Sequence, residues 1–202
     1  MKITSYTGGF VQTNGYLVEM PDGNFIVDAP LGIAAWAASK GVRVDDVLLT
    51  HQHYDHVEDA AALSEAGAKL HAFAPYSTEL TLEAAARGWG LPIKVVPYQV
   101  DVLLDVSKPL KLAGLEILTA HVPGHATDGV IFHVPAESVV FSGDTLFSSS
   151  IGRSDLPGGN TRQLLEGIDR HLMKLPAETK VLSGHGPATT IGREAAGNPY
   201  LE

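Results

Sequence analysis

The chain has 202 residues, 45% of them hydrophobic and 18% charged, which suits one globular domain over 1–202 with enough apolar side chains for a core. Fourteen Lys and Arg against 23 Asp and Glu leave a formal charge of −9, so the electrostatic footprint of a nucleic-acid binder is missing. The absence of cysteine excludes disulfides, thiolate zinc sites, iron–sulfur clusters and a cysteine nucleophile together.

No apolar run reaches the length needed to span a bilayer, and Met1-Lys2-Ile3-Thr4-Ser5-Tyr6 carries no signal-peptide core. The expectation is a cytoplasmic protein with neither a membrane nor a nucleic acid as partner. Along the chain, Gln12 to Glu19 and Asn24 to Asp28 read as two strands around the turn signal Met20-Pro21-Asp22-Gly23. Pro30 to Lys40 reads as an Ala-rich helix closed by Gly41. Val47 to Thr50 is a short buried strand, and Val57 to Ala66 a second Ala-rich helix closed by Gly67. Lys69 to Ala72 reads as a strand and Thr78 to Arg87 as a helix. In the second half, Leu115 to Thr119, Gly129 to Val134 and Ser138 to Phe141 read as strands. Asn160, with Gln163 three residues later, marks a helix start. Leu164, Leu165, Ile168, Leu172 and Leu175 recur at helical spacing until Pro176 stops that helix. Lys180 to Ser183 is the last strand. Sheet and helix in both halves point to an α/β or α+β sandwich with helices covering sheets.

The sharpest chemical signal is Thr50-His51-Gln52-His53-Tyr54-Asp55-His56, four potential metal ligands within six residues directly after a strand. A solvated loop favours Lys, Glu, Ser and Gly and has no reason to gather three imidazoles. Three further groups also follow strands: Pro123-Gly124-His125, Ser142-Gly143-Asp144-Thr145 and Ser183-Gly184-His185-Gly186-Pro187. Each alone is weak, since a strand-end Asp is often only a turn former. Together they supply five imidazoles and two carboxylates at strand ends, where such folds place functional groups. Seven ligands exceed one tetrahedral zinc and suit two metals sharing a carboxylate. The donor set suits Zn, Fe or Mn over Ca or Mg. The remaining histidines read differently: His71 as a core-edge or surface residue, His133 and His171 as structural, and His121 as structural or as a residue orienting a ligand. Arg153 and Asp155 read as an ion pair shaping the Gly-rich loop, or Arg153 as a contact for an anionic substrate group.

The ordered set His51-x-His53-x-Asp55-His56, His125, Asp144 and His185 resembles the metallo-β-lactamase-fold superfamily. It looks most like its hydroxyacylglutathione hydrolase, or glyoxalase II, branch. The similarity spans nearly the whole chain. Ile151-Gly152-Arg153-Ser154-Asp155-Leu156-Pro157-Gly158-Gly159 and Gly184-His185-Gly186-Pro187 resemble the short glyoxalase II-like subgroup. The resemblance implies an αβ/βα sandwich of two mixed sheets flanked by helices. It implies that His51, His53 and His125 hold one divalent metal, that Asp55, His56 and His185 hold a second, and that Asp144 bridges them. Zinc is the first choice of metal, with iron or manganese next. Asp55 and Asp144 would also act in catalysis by offsetting cationic charge, with Asp144 setting the metal spacing.

The expected reaction is hydrolysis of an S-acylglutathione or similar thioester by a metal-bridging hydroxide. A lactonase or esterase on the same site is an alternative. A mononuclear iron persulfide dioxygenase using His51, His125 and Asp144 is another, and His185 in Gly-His-Gly argues against it. β-Lactamases with a cysteine ligand are excluded. The pattern departs from the family at Val122-Pro123-Gly124-His125-Ala126-Thr127-Asp128, where Thr-Pro-Gly-His-Thr is frequent. The longer glyoxalase II enzymes also carry a basic helical region beyond the last histidine that grips glutathione, and most of it has no counterpart here.

Overall fold

A computed structural model describes residues 1–201. Its first sheet has six strands in sequence order: β1 (Lys2–Gly8), β2 (Thr13–Met20), β3 (Gly23–Val27), β4 (Asp46–Leu48), β5 (Lys69–Ala72) and β6 (Val102–Leu103). The first three are antiparallel, and β3 to β6 run parallel. The second sheet contains β7 (Leu110–Leu112), β8 (Leu115–His121), β9 (Val130–Val134) and β10 (Val139–Gly143). A small hairpin of β11 (Leu146–Phe147) and β12 (Ser150–Ile151) follows, and then β13 (Lys180–Ser183) and β14 (Thr189–Thr190) complete the second sheet. Its order is β14-β13-β10-β9-β8-β7, and the β10–β13 pair is parallel. Both sheets are therefore mixed.

The period-2 alternation of side chains separates the layers. In β2, β3 and β4, Val18, Phe25, Val27 and Leu48 face Ile117, Phe132, Phe141 and Leu182 in the core between the sheets. The intervening Leu17, Ile26 and Val47 pack outward against α1 (Ile33–Ser39). α2 (Tyr54–Val57) and α3 (Ala60–Glu65) add Val57 and Leu63 to that outer layer. α4 (Thr78–Thr81) and α5 (Glu83–Gly88) follow β5. On the far side, α6 (Thr161–His171) buries Leu164 and Ile168 against Ile131, Val140 and Val181 of the second sheet. α7 (Ile191–Gly197) closes that layer. Helices thus flank two mixed sheets, as the resemblance implies. Among the described residues no helix is long and apolar enough to cross a membrane.

Several boundaries differ for physical reasons. The Pro30 to Lys40 segment turns helical only at Ile33, because Gly32 takes a left-handed conformation (φ 94°) at the N-cap. The expected Val57 to Ala66 helix is two helices. Asp59 interrupts it and turns its carboxylate to the backbone N–H groups of Gly32 and Ala34, both at 2.9 Å, capping α1 instead. The expected Thr78 to Arg87 helix is broken by Leu82 at φ 51°. Asn160 does cap α6, accepting the Gln163 N–H at 3.1 Å, but the helix ends at His171, ahead of Pro176. Strand β1 has no apolar run in the sequence because it is a half-exposed edge.

Candidate metal centre

All seven expected ligands come together at one end of the sandwich. β4 ends at Leu48, and the chain then runs through His51 and His53 into α2, which carries Asp55 and His56. His125 lies in the β8–β9 connection, Asp144 follows β10, and His185 follows β13. Six of the seven are deeply buried or nearly so, and His185 is the most open, with a side chain 27% exposed.

Two glycines make the approach possible. Gly143 sits at φ +49°, and a Cβ there would lie 2.4 Å from Thr50 Oγ1. At Gly184 a Cβ would lie 2.2 Å from Asp144 Oδ1 and 2.6 Å from His56 Cε1. The backbone of Gly184 is pinned on both sides: its N–H donates to Gly143 O at 2.8 Å and its carbonyl accepts from Asn14 N at 2.7 Å. Asn14 and Tyr16 of β2 hold the same loop through the Ser183 carbonyl, at 3.1 and 2.7 Å.

The donor atoms fall into overlapping sets that fit a cation. Ring nitrogens of His51, His53 and His125 lie within 4.8 Å of one another, as do the ligand atoms of Asp55, His56 and His185. A third set joins His51, His56 and Asp144. Asp144 lies between the two halves. Its Oδ1 is 3.3 Å from His56 Nε2, and its Oδ2 is 3.5 Å from His125 Nε2 and 3.4 Å from His185 Nε2.

The surrounding groups fix which nitrogen of each ring is free. His56 Nδ1 lies 2.9 Å from Asp28 Oδ2 and His125 Nδ1 lies 2.8 Å from the Arg153 carbonyl. Both partners only accept, so both Nδ1 atoms carry the proton. Thr50 Oγ1 spends its one hydrogen on Asp28, 2.8 Å away, and so accepts from His51 Nδ1 at 3.1 Å. Nε2 of His51, His56 and His125, with Asp144 Oδ1, is left buried without a hydrogen-bond partner. Four orphaned donor atoms aimed at one another are costly unless a cation takes their lone pairs. The residues present fit divalent metal.

The electrostatics divide the imidazoles into two groups. Burial pushes the His51 pKa well below the usual imidazole range, and it takes His53 down to about 3 with help from His125. Burial works against charge on His56, yet Asp55, Asp28 and Asp144 lift its pKa well above the usual value. Burial likewise opposes charge on Asp55, but His56 and His185 bring it down to about 2. His185 rises to about 10, because its bonds to Asp144 and Asp55 outweigh burial. His51 and His53 are thus neutral and ready to ligate, whereas His56 and His185, beside the ionised carboxylates, hold protons that a bound cation would displace.

The other histidines lie outside the centre. His121 stacks on Phe73 with ring centroids 4.0 Å apart and bonds the Thr127 carbonyl at 2.9 Å. His71 pairs with Asp46 at 2.7 Å. His133 lies in β9 and His171 closes α6. Arg153 and Asp155 do pair, through two bonds of 2.7 Å. The orienting residues Asp28, Thr50 and Thr13 were not picked out from the sequence. Thr13 Oγ1 donates to Asp55 Oδ2 at 2.6 Å.

With this geometry in view, the family model described as the metallo-beta-lactamase superfamily matches residues 8–185. The chain is 35% identical to the probable metallo-hydrolase YqgX of Bacillus subtilis, over 96% of this chain and 94% of that one. It is 34% identical to the hydroxyacylglutathione hydrolase GloC of Haemophilus influenzae, covering 77% and 74% of the two chains. Among solved structures, the BLEG-1 B3 metallo-beta-lactamase superposes with a TM-score of 0.88 at 32% identity over 99% of each chain. TTHA1623, in a di-iron-bound form, superposes with a TM-score of 0.83 at 39% identity over 98% of this chain and 100% of that one.

Proposed function

The chain belongs to the metallo-β-lactamase superfamily, and from that premise we propose that it is a dinuclear metal hydrolase of the glyoxalase II type, cleaving an S-acylglutathione or similar thioester. The carrying observation is the arrangement of two three-residue ligand sets on either side of Asp144, with orphaned Nε2 atoms turned inward. His51, His53 and His125 would hold one ion, Asp55, His56 and His185 the other, and Asp144 both. Zinc is the first choice, and iron, the metal of TTHA1623, or manganese fits the same donors. Bound there, divalent cations supply Lewis acidity toward a carbonyl and bring the pKa of water to about 7.

The chain's own residues prepare this chemistry. Asp28, Thr50 and the Arg153 carbonyl hold the Nδ1 protons and aim the Nε2 atoms. Thr13 fixes Asp55 through its hydroxyl. Asp55 and Asp144 place two negative charges where they offset cationic charge. A thiolate is a good leaving group, so a thioester asks for little proton delivery from the protein. The placement of His185 Nε2, 3.3 Å from Asp55 Oδ2, favours two metals over the single iron of an oxygenase.

The test is hydrolysis of S-D-lactoylglutathione and of an uncharged S-acyl-N-acetylcysteamine by protein loaded with zinc, manganese or iron, with metals per chain measured on the same sample. Turnover of either thioester at about two metals per chain is expected. Lactone but not thioester turnover would move the assignment to a lactonase. Oxygen uptake with one iron per chain would replace hydrolysis altogether.

A further inference from the structure

One cavity of about 350 Å³ contains five of the seven ligands and, beside them, Val11, Leu82, Trp89, Phe147, Ile151 and Leu156. These six apolar side chains come from separate parts of the chain, including the β1–β2 turn, the break between α4 and α5, the β11–β12 hairpin and the Gly-rich loop. Trp89 is 56% exposed, so it contributes little to the core, and its ring is spent on the wall of this cavity. Apart from the ligand histidines, Arg153 is the one cationic side chain among the described residues that line it. Its Nε and Nη2 both bond the Asp155 carboxylate at 2.7 Å, which leaves the mouth without net positive charge. The chain as a whole carries −9. A glutathione conjugate brings two carboxylates, and among the described residues no unpaired Lys or Arg lines the cavity to receive them.

We propose that this site selects thioesters or esters whose chain beside the scissile carbonyl is uncharged and apolar, and discriminates against glutathione conjugates. This rests on the proposed hydrolysis and narrows its substrate class from S-acylglutathiones to the similar thioesters and esters that lack glutathione's carboxylates. Burial of each added methylene against the wall gives about a threefold to fourfold gain while the chain still fits.

The experiment compares S-acetyl- and S-octanoyl-N-acetylcysteamine with S-D-lactoylglutathione on the metal-loaded protein. The octanoyl thioester is expected to exceed both others in kcat/KM, by at least about a hundredfold over the acetyl thioester. Trp89→Ala should shrink the octanoyl-to-acetyl ratio by about tenfold. Asp155→Ala, which frees Arg153, should raise kcat/KM for S-D-lactoylglutathione. A preference for the glutathione thioester, or a ratio indifferent to chain length and to Trp89→Ala, overturns the proposal while leaving the hydrolase intact. If no thioester turns over, the thioesterase reading fails by itself. Titration calorimetry with two inert thioethers then decides the discrimination against glutathione separately. Tighter binding of S-octyl-N-acetylcysteamine than of S-octylglutathione upholds the selection, and equal or weaker binding overturns it.

Discussion

His56 Nδ1 lies 2.9 Å from Asp28 Oδ2, with both side chains almost wholly out of solvent. Asp28 stands just past β3 at φ 59°, a conformation that costs a non-glycine residue energy and that Asp tolerates better than most. The strained backbone aims one carboxylate at three donors: the His56 ring, the Thr50 N–H at 2.8 Å and the Thr50 hydroxyl. Thr50 in turn orients His51. One side chain therefore sets the ring orientation in both ligand sets.

Asp28→Ala is accordingly expected to lower metal affinity by about tenfold to a hundredfold in both sets, the usual cost of losing such a partner. Competition with a chelator, read as metals per chain, measures it. Wild-type affinity in a folded Asp28→Ala protein would remove Asp28 from this role.

Gly184→Ala probes the closeness of the centre. The new methyl would fall 2.2 Å from Asp144 Oδ1, and the hydrogen bonds of Gly184 to Gly143 and Asn14 keep the backbone from backing away. Asp144 and His56 must move instead. The expected outcome is a folded chain with the circular dichroism of the parent and metal affinity reduced by more than about tenfold. A fully loaded, active variant would mean that the loop relaxes freely.

The ligands are legible in the sequence because imidazoles are rare in strand-end loops unless chemistry gathers them, and His51 through His56 gather three. Strands such as Lys69 to Ala72 and Lys180 to Ser183 are legible because both faces are buried, which forces apolar runs. The groups that aim the ligands are not legible. Asp28 looks like any aspartate ending a strand, and only the fold brings it to a residue 28 positions later. Arg153 acts on His125 through a backbone carbonyl, which no side-chain pattern encodes. Leu82 breaks a helix from a sequence, Thr78 to Arg87, whose composition favours continuing it.

Asp144 stands within 3.5 Å of Nε2 atoms from both ligand sets. Asp144→Ala should therefore lower metal content and activity together, the content by about half or more and the activity by more than about a hundredfold. Elemental analysis and thioester turnover on one sample check this. Full dimetal occupancy with normal turnover would rule out a shared ligand.

A different carboxyl group gives a pH-dependent test away from the ligands. Asp128 is 3% exposed; Gln52 Nε2 donates to its Oδ2 at 3.2 Å, while its Oδ1 has no partner. Tyr98 bonds the other end of Gln52 at 2.9 Å, so the Asp128 carboxyl belongs to a buried network beneath the loop between His51 and His53. Burial pushes its pKa up from the ordinary carboxylate value to about 6. The folded chain thus holds this proton more tightly than the unfolded chain. The associated stability is present in full below the unfolded value and is lost as pH rises through about 6. Asp128→Asn stays neutral at every pH and keeps an oxygen for Gln52. Its stability relative to the parent should therefore improve between pH 5 and pH 8, by at most about 2 kcal/mol. Denaturant unfolding of the two proteins at both pH values measures the difference. A difference that does not change with pH would mean that burial does not hold the Asp128 proton in this range.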